Sequence, residues 1–71
     1  MNTKVLNKLG FSIKTIRKDK KLTQEQLAEK VGIHPTYVGK IESGKINVPT
    51  LMLYKISRAL NVKLSDIFSF D

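Results

Sequence analysis

The 71-residue chain contains no cysteine and no tryptophan, and only two prolines and four glycines. Without cysteine there can be neither a disulfide framework nor a thiolate metal site. No apolar run approaches the ~18 residues of a membrane span. The first stretch, MNTKVLNKLGFSIK, lacks the apolar core of a signal peptide. A soluble, cytoplasmic chain is therefore expected. A domain this small buries only about 60% of its unfolded surface. Its core must come from helix packing, with help from a partner subunit. Acids are scarce too: six against thirteen Lys/Arg, a formal charge of +7. Such a balance favours polyanions, either nucleic acid or an anionic membrane surface. Seven of those basic residues lie in positions 1–21 beside a single acid, Asp19. The plainer account of that run is a solvated basic helix. The single histidine has no evident orienting partner, and no metal-ligand spacing or phosphate loop occurs, so neither enzyme activity nor a cofactor is expected.

What is present is helical periodicity. Leu6, Leu9, Ile13 and Ile16 fall at the three-to-four spacing of one helical face, predicting a first helix from about Lys4 to Lys20 with Thr3 as its cap. Gly10 lies inside this pattern at a cost of ~1 kcal/mol relative to alanine, so the first turns are expected to fray. Thr23-Gln24-Glu25-Gln26 is a capping box opening a second helix, with Leu27, Ala28 and Val31 as its apolar side. Gly32 ends it. A third helix starts at Pro35, which suits the first helical position, and runs to Glu42–Ser43 before Gly44. A fourth starts near Pro49–Thr50 with Leu53, Ile56 and Leu60 as its stripe. A short fifth covers roughly Ser65–Ser69. Neither strand nor linker is expected. The fold class is all-α, a compact five-helix domain spanning residues 1–71.

The second and third helices are too short to be stable alone. The three residues between them, Gly32-Ile33-His34, match the glycine-containing joint of a helix-turn-helix unit at about residues 23–43. On a helical wheel, Val38 and Ile41 define the inward side of the third helix. Thr36, Lys40 and Ser43 then point outward, with Gly39 and Tyr37 on the flanks. This face is small, polar and basic, and carries no acid. It fits a DNA major groove, although an ordinary solvent-facing helix would look the same. Glu42 falls on the inward side, where an unpaired carboxylate is costly. Arg17 falls on the inner arc of the first helix. The two are expected to pair and clamp these helices together.

These residues resemble the lambda-repressor-like helix-turn-helix family of the Cro/Xre type. The resemblance spans Leu9 to Phe68 and rests on the combination of L-T-Q-E-x-L-A (from Leu22) with Y-V-x-x-I-E-x-G (from Tyr37). It implies a five-helix, usually dimeric domain that binds double-stranded DNA and represses or activates transcription. In that family Gln24, next to the cap Thr23, would meet the DNA backbone. Pro35, Thr36 and Lys40 would read bases, with Ser43 on the same face. Tyr37, Lys45 and Asn47 would hold phosphates, as would the amides opening the second helix. Some positions depart from the pattern. His34 stands where a better cap, Ser or Thr, is common, and Pro35 where a long polar residue is common. Proline donates no hydrogen bond, so reading leans on Thr36, Lys40 and His34, with apolar contact from Pro35 or Thr36 to a thymine methyl. The plainer reading of His34 is a surface turn residue.

Leu51 and Met52 stand where relatives carry polar residues. With Leu64, Phe68 and Phe70 they could form an apolar patch suited to a symmetric dimer, the interface involving residues 64–71. The plainer reading is that Leu64 and Phe70 fold back on their own core. A two-fold dimer would set its recognition helices ~34 Å apart on a pseudo-palindromic operator. No sensor domain follows, so no small-molecule control is expected. The short length, the F-x-I-x-x-I-R start from Phe11 and the H-P-T-Y helix opening also resemble the controller proteins of restriction–modification systems. Phage- or plasmid-type repressors are the other option. A different function class would be an antitoxin-like module that uses the apolar patch to hold a protein. RNA or single-strand binding needs exposed aromatic platforms, and only Tyr37 is a candidate.

Overall fold

The computed structural model describes residues 3–70. Among them are five helices and no strand: α1 (Thr3–Asp19), α2 (Gln24–Val31), α3 (Pro35–Glu42), α4 (Thr50–Ala59) and α5 (Leu64–Ile67). Asp71, included in the expected dimer segment, lies outside the described residues. α1 packs on α3 and α5, α2 packs on α3 and α4, and α4 packs on α5. One continuous core results, built from Leu9 and Ile13 of α1, Leu27 and Ala28 of α2, and Val38 and Ile41 of α3. Leu53, Ile56 and Leu60 close it from the other side, with Val48 of the preceding loop and Ile67 of α5.

Local chemistry sets where the helices stop. Four of them end in the same way. A residue with left-handed backbone follows the helix, and the next N–H reaches back to a carbonyl five residues earlier. At Gly32 (φ 86°) and Gly44 (φ 73°) the absence of Cβ makes this conformation easy. At Lys21 (φ 63°) and Asn61 (φ 58°) a side chain is carried through it. The returning bonds are Leu22 N–H to the Arg17 carbonyl, 3.1 Å, and Val62 N–H to the Ser57 carbonyl, 3.0 Å. Such a bond after Lys21 stops α1 at Asp19, one residue short of the expected Lys20.

The expected element starts need three corrections. Thr3 is the first helical residue of α1, not its cap. α5 begins at Leu64 and ends at Ile67, because the Asp66 carboxylate accepts from the Lys63 N–H at 2.9 Å and so marks the start one residue earlier. Gly10 is not a point of fraying. It is buried where α1 crosses the end of α3, and a Cβ there would collide with the Ile41 carbonyl and lie 2.6 Å from that of Glu42. The glycine lets the two backbones touch, which outweighs its propensity cost.

Candidate nucleic-acid interface

Two caps hold the helix-turn-helix in place. Thr23 Oγ1 accepts from the Gln26 N–H at 3.0 Å, and Gln26 Oε1 accepts from the Thr23 N–H at 2.8 Å. The expected capping box is therefore present. At the head of α3, His34 Nδ1 accepts from the Thr36 N–H at 3.1 Å. His34 is thus a working cap here, made possible by its extended backbone (φ −74°, ψ 142°).

The inward side of α3 carries Val38, Ile41 and Glu42, all buried. Arg17 grips the Glu42 carboxylate with two parallel bonds: Nε to Oε2 at 2.7 Å and Nη2 to Oε1 at 3.0 Å. Arg17 Nη1 also donates to the Leu22 carbonyl at 2.6 Å, just before the capping box. Gln24 Nε2 completes the group by donating to Glu42 Oε1 at 3.0 Å. The Arg17 and Glu42 side chains are only 7% and 3% exposed, so their charges are mutually compensated rather than hydrated. Donating its hydrogen bonds to Glu42 raises the Arg17 pKa above its ordinary value, against the opposing effect of burial. One buried ion pair therefore joins α1, the α1–α2 loop, α2 and α3.

The outward side is a shallow open groove between the start of α2 and the length of α3. It is lined by Gln24, Glu25, Pro35, Thr36, Gly39, Lys40, Ser43 and Lys45. Thr36, Lys40, Ser43 and Lys45 are exposed, while Gln24, Pro35 and Gly39 are half-buried. Thr23, His34 and Asn47 are exposed beyond the groove's lining, and Tyr37 is half-buried against the core. The α3 side of the groove carries no acid, but Glu25 brings one from α2. This residue lies outside any helical wheel of α3 alone. So does the Gln24 carboxamide, which turns toward Glu42 in a contact between residues eighteen apart.

The apolar set divides. Leu51 (65% exposed) and Phe68 (44%) face outward. Met52, Leu64 and Phe70 are half-buried and pack against the core. Leu64 and Phe70 thus follow the plainer expectation of folding back. Phe70 also lines one wall of a cleft whose other walls include Phe11, Ser12 and Ile16 of α1, a feature that helical spacing alone does not predict. Phe11, 69% exposed, is a further outward aromatic outside the expected patch.

The helix-turn-helix family pattern matches residues 13–67. The chain belongs to the helix-turn-helix family. Among its relatives is an HTH-type transcriptional regulator of Archaeoglobus fulgidus, 42% identical over 59 residues, covering 83% of each chain. The control protein C.MunI of a Mycoplasma species is 41% identical over 63 residues, covering 87% of this chain and 85% of that one. Among solved structures, the restriction-modification controller protein C.Esp1396I, crystallised as a tetramer in complex with its natural 35 base-pair operator, superposes with a TM-score of 0.82. It is 38% identical, covering 90% of this chain and 84% of that one. This helix-turn-helix chain is a DNA-binding transcriptional regulator. Among the described residues no helix is long and apolar enough to cross a membrane.

Proposed function

We propose that this regulator is a controller of a restriction–modification operon. It acts in the cytoplasm as a dimer on a pseudo-palindromic operator, as a repressor, an activator or both. The observation that carries the reading is the division of α3. Its buried side is locked to α1 and α2 through Glu42, while Thr36, Lys40 and Ser43 stand exposed on the other. A helix presented this way can enter a major groove without disturbing its packing. Thr36 and Lys40 read base edges, with Pro35 and His34 at the helix's opening and Ser43 towards its end. Lys45, Asn47 and Tyr37 hold phosphates beside them. The Gln26 amide is already taken by Thr23, so a phosphate at the start of α2 uses the Gln24 and Glu25 amides. Leu51 and Phe68, with the edges of Met52, Leu64 and Phe70, supply the apolar surface for dimerisation. The similarity to C.MunI and C.Esp1396I supports the controller assignment over a phage- or plasmid-type repressor.

The test is selection of bound duplexes from a random library at moderate salt. A two-fold symmetric motif with half-sites about one helical turn apart is expected. Its occurrence upstream of restriction and methyltransferase genes would identify the operon. Enrichment of nothing would refute the reading and direct attention to a protein partner at Leu51 and Phe68.

A further inference from the structure

Three of the chain's four glycines have a reason inside the fold: left-handed backbone at Gly32 and Gly44, and crossing helices at Gly10. Gly39 has none. It sits in mid-α3, where glycine is the poorest helix former after proline. A Cβ added there would meet only the Gln24 carboxamide, at 3.8 Å from Oε1 and 3.9 Å from Nε2, ordinary contact distances. The fold would accept alanine and gain helix propensity from it. The contacts a Cβ would make do not account for glycine here, and its absence leaves the helix bare to an approaching group.

The surroundings define what approaches. Pro35 lies one turn before Gly39 on the same column of α3, and both line the groove. Proline has no N–H, and glycine has no side chain. The Gln24 carboxamide borders the gap, its Nε2 held by Glu42. The neighbouring column, Thr36 and Lys40, carries the hydrogen-bonding groups. Beside it, the bare helix at Gly39 leaves room for one carbon at ordinary contact distance from Gln24, next to the apolar ring of Pro35. On the major-groove edge of DNA, that group is the thymine C5 methyl. We propose that Gly39 is a specificity-determining residue: its missing side chain, between Pro35 and Gln24, seats a thymine methyl. This deepens the DNA-reading role proposed above and rests on it.

The experiment takes the selected operator and replaces each thymine with deoxyuridine, one symmetric pair at a time. Affinities of the wild-type protein and of Gly39→Ala are compared at fixed salt. Wild type is expected to lose about fourfold per half-site at one thymine position, the value of one buried methyl. Gly39→Ala should bind the thymine operator more weakly and lose its thymine-over-uracil preference at that position alone. It should melt no lower than wild type. Wild-type binding indifferent to every uracil replacement would overturn the proposal without recourse to any variant. So would a Gly39→Ala protein with unchanged affinity and unchanged preference. A library that yields no motif removes the DNA-reading role itself, an outcome distinct from either.

Discussion

Replacing Arg17 with methionine keeps the aliphatic stem and removes the guanidinium. Glu42 would then keep only the Gln24 amide as a partner, with its carboxylate still 3% exposed. The Leu22 carbonyl would lose its donor as well. Breaking one side of a buried ion pair costs about 3–5 kcal/mol. A 71-residue domain has only about 4–10 kcal/mol in total. At roughly 4–8 °C per kcal/mol for a domain of this size, the midpoint should fall by at least ~12 °C. Lys18→Met is the control: Lys18 is the adjacent, exposed residue. A surface change of that kind stays within about 0.5 kcal/mol. The assay is thermal unfolding by circular dichroism at one protein concentration, since dissociation of the proposed dimer would make the midpoint concentration-dependent. The double variant Arg17→Met, Glu42→Leu removes the stranded charge and should recover most of the loss. Melting of Arg17→Met within about 4 °C of Lys18→Met would show that the pair does not clamp the fold. A double variant no more stable than the single one would show that the stranded charge was not the cost.

Lys40→Ala should leave the melting temperature unchanged and cost about 1–3 kcal/mol of discrimination at the bases Lys40 reads; equal losses on operator and random duplex, by anisotropy titration, would remove it as a reader. Gly10→Ala should lower stability by roughly 1–3 kcal/mol in urea titration, since the added carbon meets backbone that can yield only by parting α1 from α3. A rise in midpoint, as helix propensity alone would give, would contradict that account. Lys21→Gly relieves a left-handed lysine and should raise stability by roughly 0.5–1 kcal/mol in the same titration. An unchanged or lower midpoint would mean that the turn carries no such cost.

The parts legible in the sequence were local. The Thr23–Gln26 capping box, the turn at Gly32 and the apolar spacing of each helix involve residues a few positions apart, where helical geometry is decisive. The outward placement of Thr36, Lys40 and Ser43 followed from Val38 and Ile41 by the same geometry. Facing charges on two inward arcs were enough to expect Arg17 near Glu42. What stayed hidden depends on distances between elements. Nothing near Gly10 in the chain says that the end of α3 will lie against it. Gln24 looked free because its partner is eighteen residues on. Lys21 gave no sign of its left-handed backbone, because a glycine is the usual marker and none is present. For Phe70 both an outward patch and a return to the core stay open in the sequence, because a tally of apolar residues cannot locate the core surface against which it packs.

The division of α3 also bears on how such a regulator diverges. Its packing depends on Val38, Ile41 and Glu42, whereas Thr36, Lys40 and Ser43 touch little of the core. Substitutions in the second group are nearly free of folding cost, so duplicated genes can drift apart in target preference while sharing one scaffold. Two copies in the same cell could become mutually blind by a few changes on a single helical face. The same freedom makes the chain a small chassis for orthogonal genetic switches, in which a library confined to that face would remain folded throughout.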